Sequence, residues 1–147
     1  MNGNKMEELL KDERYKAIIN KLKGYHSELL KINLEENPVL IGRYLGDIRL
    51  TANLLFTFLN HYITIVDKYN QEYNKKRQDI YQESLNKGLS SSAATGSSRE
   101  LTRFDEARVE SIKYTIQVIK NDYERYNSIC IYLQSRLREF NTERMQG

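Results

Sequence analysis

Two runs of apolar residues, each stepping alternately by four and by three, flank one segment of small residues, and this leaves the chain few ways to fold. The first run is Ile41, Leu45, Ile48, Ala52, Leu55, Leu59, Tyr62, Val66, Tyr69, Tyr73, Lys76 and Ile80. The second is Val109, Ile112, Ile116, Ile119, Tyr123, Tyr126, Cys130, Leu133, Leu137 and Phe140. A four-three alternation is the seam of a coiled coil, because it keeps one stripe of an α-helix facing a partner. The composition break between the runs, Asn86–Ser98 (NKGLSSSAATGSS), predicts the tip of a hairpin. The fold class expected is therefore all-α: a long antiparallel, coiled-coil-like helical hairpin with a helix over about 38–87, a tip at 88–98 and a helix over about 99–144. The single proline, Pro38, sits where the first arm begins, preceded by Asn37 as a candidate N-cap.

Upstream, residues 1–37 form a separate N-terminal arm. Leu9, Leu10, Tyr15, Ile18, Ile19, Leu22, Tyr25, Leu29, Leu30 and Ile32 recur at mostly helical spacing between charged residues, which predicts one amphipathic helix over 6–32, with Gly24 as its weak point. Folding the chain at about Ala93 sets Lys76 opposite Glu110 and Arg49 near Leu137. A cross-helix pair Lys76–Glu110 is expected to fix the alignment. At the tip two states are open: a short helical turn capped by Ser90 and ended by Gly96, with Ser98 capping the next helix at Arg99, or a mobile loop.

Around 54–66 the apolar residues leave the seam and surround the helix. Leu54, Phe56, Phe58, Ile63 and Ile65 lie outside it, and two helices alone cannot bury them. The N-terminal helix, another subunit or both must cover this belt, so a homo-oligomer with these five residues at its interface is expected. The same run is 13 residues long and contains Asn60 and His61, short of the roughly 20 that span a bilayer, so no membrane association is expected.

Catalytic patterns are missing. His26 and His61 have no metal-ligand spacing, no Gly-x-Ser-x-Gly elbow occurs, and there is no phosphate-binding P-loop. Neither an enzyme nor a cofactor or metal is expected. Cys130 is the one cysteine, which excludes an intrachain disulfide and fits a reducing cytoplasm. The absence of an apolar leader at the amino terminus points the same way.

With 23 Lys and Arg against 20 Asp and Glu, the net charge of +3 imposes no global field, so any polyanion site must come from local clustering. The basic residues do cluster. Tyr69, Tyr73, Lys75, Lys76, Arg77 and Tyr81 lead into the tip, Lys87, Arg99 and Arg103 continue beyond it, and no acid lies between Glu83 and Glu100. Lysines and arginines neutralise phosphates, free Ser and Gly backbone amides donate to them, and tyrosines stack on unpaired bases. Lys75, Arg77, Lys87, Arg99 and Arg103 are therefore the candidate nucleic-acid contacts. Set against this, Asp79, Glu83, Glu100, Asp105 and Glu106 stand near enough to pair with them as a solvated surface. A second basic cluster, Arg43, Arg49, Arg136, Arg138 and Arg144, has Asp47, Glu139 and Glu143 for neighbours.

Over about 38–147 the chain resembles small all-helical bacteriophage proteins, in particular phage recombination mediators. The resemblance is carried by Tyr69-x-x-x-Tyr73-x-Lys75-Lys76-Arg77, by the Gly/Ser/Ala tip and by the closing stretch Tyr126–Phe140. It implies an oligomeric accessory factor of the host-cell cytoplasm that binds single-stranded DNA and helps load a recombinase onto it. The alternative is a structural or protein-interaction role in a phage, as an assembly component or an inhibitor of a host defence protein acting through its helical faces.

Overall fold

In a computed structural model of the chain, residues 5–33 and 35–146 are described, the side chain of Met6 apart, and they hold helices and connecting turns with no strand. The elements are α1 (Lys5–Lys11), α2 (Glu13–Leu29), α3 (Pro38–Asn53), α4 (Leu55–Asn86), α5 (Ser91–Leu101) and α6 (Arg103–Gln146). The all-α expectation holds. The chain divides into two compact units, one of Met1–Glu8 and Asn60–Ile116, the other of Leu9–Leu59 and Gln117–Gly147.

In the second unit the N-terminal residues are part of the packing. The amphipathic stretch is interrupted at Asp12 and not at Gly24, since the Asp12 carboxylate accepts from the backbone N–H of Arg14 and Tyr15 and so starts a new helix. Gly24 lies inside an unbroken α2. Helix α2 packs on α3, and Tyr15 sets its ring edge-on to Phe58, with centroids 5.4 Å apart. Arg14 places its guanidinium 5.5 Å from the same ring. Phe58 is thus buried by the chain's own helix, which removes it from the expected oligomer interface. Of the other four belt residues, Phe56 packs at 4.6 Å on Tyr123 yet stays 39% exposed, Leu54 is 51% exposed, and Ile63 and Ile65, in the first unit, are half-buried.

The Tyr15 hydroxyl donates to the Asp122 carboxylate of α6. Burial, and then that carboxylate, hold the Tyr15 hydroxyl neutral far above the usual tyrosine range. Arg49 Nη2 donates to Gln134 Oε1 at 2.8 Å, one helical turn from the expected Leu137. Asn37 starts α3 ahead of Pro38, but its side chain makes no capping hydrogen bond.

The first unit shows why the register differs near the tip. Helix α4 ends in a Schellman turn: Gly88 N–H donates to the Leu85 carbonyl, Leu89 N–H to that of Ser84, and Gly88 takes φ +89°, which an L side chain rarely adopts. Ser90 then caps α5, its hydroxyl accepting from Ala93 N–H at 3.1 Å. The reversal is complete by residue 90. Gly96 does not end the turn helix, Ser98 does not cap the next one, and α6 starts at Arg103, after Thr102. Ala94, Ser98 and Thr102 are buried at four-residue spacing, so the return seam begins inside the segment expected to be a tip. With the fold point earlier, Lys76 meets Asp105 at 2.9 Å instead of Glu110, which pairs with Lys113 of its own helix.

Candidate nucleic-acid interface

Helix α4 presents Asn74, Arg77, Gln78 and Tyr81, spaced i, i+3, i+4 and i+7, along one face. Helix α5 presents Thr95, Ser98 and Arg99 at i, i+3 and i+4. Together these seven residues line an open groove of about 450 Å³ within the first unit. The small residues of α5 allow this, because Ala94 and Ser98 are buried with no bulk to hold the helix away from α4. The Tyr81 hydroxyl meets Ser91 Oγ at 3.0 Å and ties the two helices at the tip.

No lining residue carries a carboxylate. Among the described residues neither Arg77 nor Arg99 has an acidic side chain within 4.0 Å, whereas Lys76, Lys87 and Arg103 are each ion-paired. Arg77 is oriented by Tyr73, whose hydroxyl accepts from Nη1 at 2.8 Å while the guanidinium stands 5.6 Å from the ring centroid. That contact leaves four of the five guanidinium N–H groups of Arg77 available. The hydroxyls of Thr95 and Ser98 are spent as donors on the carbonyls of Ser91 and Thr95. Donation in the groove therefore falls to the two arginines and to the amides of Asn74 and Gln78. Of the backbone amides of the Ser-rich segment, those of Ala93 and Ala94 are bound to Ser90, and Ser90, Ser91 and Ser92 do not line the groove.

Of the five candidate contacts, Arg77 and Arg99 come together. Lys75 is exposed on α4 outside the groove and has no acidic partner among the described residues. Lys87 pairs with Glu83 at 3.0 Å, and Arg103 pairs with Glu100 at 3.8 Å while lying over Phe104. Asn74, Gln78 and Thr95 escape a search for basic residues, although the helical spacing of 74 and 78 around Arg77 marks them as its neighbours. A smaller recess of about 150 Å³ in the same unit, lined by Tyr69, Glu72, Tyr73, Lys76, Asp105 and Arg108, balances its cations with carboxylates, Lys76 being paired with Asp105. In the second unit Arg136 pairs with Glu139 at 2.9 Å.

Elsewhere in the second unit, Leu29, Leu30, Ile41, Ile129, Tyr132 and Leu133, among others, line an apolar recess of about 440 Å³, with Leu30 77% and Tyr132 60% exposed. Burial pushes the Cys130 thiol up, which disfavours the reactive thiolate. Among the described residues no group of three His, Cys, Asp or Glu side chains could hold a metal ion, and no helix is long and apolar enough to cross a membrane. Comparisons with protein-family models, with curated proteins and with solved structures give no match to this chain.

Proposed function

We propose that the chain is a non-enzymatic, oligomeric accessory protein that binds single-stranded nucleic acid in the α4–α5 groove. In keeping with its resemblance to phage recombination mediators, its role is to help load a recombinase onto single-stranded DNA. The observation that carries this is the convergence of Arg77 and Arg99, both without an acidic partner among the described residues, on one groove with no carboxylate in its lining. Two guanidiniums at a shared recess suit a phosphodiester, because each offers planar paired donors. The Tyr81 ring offers a stacking surface and the Asn74 and Gln78 amides reach base edges, both of which require unpaired bases. A duplex keeps its bases stacked and paired and would use only the arginines.

Fluorescence anisotropy with a labelled single strand and with a duplex of equal length, at low and moderate salt, tests this directly. The single strand is expected to bind tighter, and its binding to weaken as salt rises. Absence of binding at low salt would rule the proposal out. A protein-interaction role is the second reading, favoured by the exposed Leu30 and Tyr132 beside the apolar recess of the second unit. In that case a partner's apolar side chain fills the recess and the function is structural or inhibitory.

A further inference from the structure

Helix α5 supplies one wall of the groove, yet little in its sequence holds it helical. Of its 11 residues, Ser91–Leu101, four are serine, one is threonine and one is glycine, all weaker helix formers than alanine. Its length falls short of the roughly 12–15 residues at which even an alanine-rich helix is marginal alone in water. Two of its hydroxyls bond back within the helix, Thr95 Oγ1 to the Ser91 carbonyl and Ser98 Oγ to that of Thr95, both at 2.9 Å. Such back-bonding bends and slightly loosens a helix.

A helix of this kind depends on tertiary burial. α5 has little of it. The side chains it buries are those of Ala94 and Ser98, while Leu101, its largest aliphatic residue, is 60% exposed. The Tyr81–Ser91 hydroxyl pair that ties it to α4 is itself exposed. Scarce apolar burial and a solvated tie place a segment at the low end of local stability.

We infer that α5 is a clamp: it opens from α4 in the free chain, and a nucleic-acid phosphate shared by Arg77 of α4 and Arg99 of α5 folds and docks it. Such a clamp presupposes that the groove is the nucleic-acid site proposed above. The two arginines stand on different helices, so one phosphate reaches both only while α5 is docked. A ligand with that preference shifts the equilibrium toward the docked state. Docking without a ligand gathers two guanidiniums in a groove whose lining has no carboxylate, and a phosphate supplies the missing negative charge. Gly96 is where this balance can be moved without touching the site. It lies outside the lining, and a Cβ built on it meets nothing within 4 Å, so Gly96→Ala adds helix preference and no new contact.

Hydrogen exchange read by mass spectrometry on the full chain, with and without saturating oligothymidylate, tests the clamp. In the free chain, amides of residues 93–101 should show protection at least about tenfold lower than those of α4 between Val66 and Ile80. Bound oligothymidylate should raise the protection of 93–101 by at least about tenfold and change α4 far less. Gly96→Ala should raise it about fivefold without any ligand, the factor by which alanine is preferred to glycine in a helix. Protection of α5 equal to that of α4 in the free chain, or α5 exchange indifferent to Gly96→Ala, would overturn the marginal helix. Oligothymidylate that binds by anisotropy and leaves α5 exchange unchanged would overturn the coupling alone. No binding at all would overturn the groove as a nucleic-acid site and the coupling with it.

Discussion

Replacing Arg77 and Arg99 together by Gln is expected to weaken binding of a single-stranded oligonucleotide by at least about a hundredfold. Each guanidinium–phosphate contact is a charge-assisted hydrogen bond worth about 1.5–3 kcal/mol, so two lost contacts come to about 3 kcal/mol at the lower end. Salt dependence gives an independent readout. Each phosphate neutralised on a single strand contributes about 0.7 to the slope of log K against log salt, so the double variant should lose about 1.4 from that slope. Folding should barely notice, because neither arginine has an acidic partner among the described residues and surface changes of this kind usually stay within about 0.5 kcal/mol. Lys87→Gln and Arg103→Gln, whose charges are already met by Glu83 and Glu100, should cost much less. Equal losses from all four would mean a diffuse basic surface in place of a groove.

Tyr15→Ala should be the most destabilising single change in the second unit. The residue is 3% exposed, packs on Phe58 and bonds Asp122, so its loss opens a cavity, bares the phenylalanine and strands an acceptor. Removal of a buried aromatic ring costs about 3–5 kcal/mol. That is a large share of the roughly 5–15 kcal/mol available to a domain, and a fall in Tm of about 10 °C or more is expected by circular dichroism. Tyr15→Phe keeps the ring and should cost about 1–3 kcal/mol. The alkaline limb separates the two contributions. A tyrosine held neutral in the folded state stabilises it below the unfolded value of about 10, and that stability is lost as pH rises further, because only the unfolded chain then releases the proton readily. Tyr126 is raised as well, chiefly by burial, and acts in the same direction. Tyr15→Phe should therefore flatten part of the loss of stability above pH 10. A Tyr15→Ala variant as stable as the parent would show that α2 is not anchored by this residue.

The seam was almost wholly legible in the sequence. Every position of both apolar runs is buried or half-buried except Lys76, the polar member, which is exposed and ion-paired. Periodicity works there because Ile, Leu, Val and Tyr announce burial by their chemistry. It fails at the tip for the same reason. Ser98 and Thr102 are 3% and 0% exposed, but they read as polar, and their hydroxyls are satisfied by α5's own carbonyls. A helix built on small residues thus reads as no more than a short turn or a loop, which shifts the expected fold point and sets Lys76 opposite Glu110 instead of Asp105. The apolar pattern runs uninterrupted past Asp12, and the helix breaks there because a local cap outweighs that pattern. As for the groove, the five basic residues were visible, but Arg77 and Arg99 lie 22 positions apart in the chain. Only the folding of α5 onto α4, which the Schellman turn at Gly88 and the Ser90 cap bring about, selects those two from the five.

Ultraviolet cross-linking of the full chain to oligothymidylate, followed by mapping of the adducts by mass spectrometry, tests the groove most directly. The groove predicts adducts on Tyr81 and on residues 74–81 and 95–99, all lost in the Arg77→Gln/Arg99→Gln variant. Adducts confined to the arginines of residues 136–144, or unchanged by that double substitution, would contradict it.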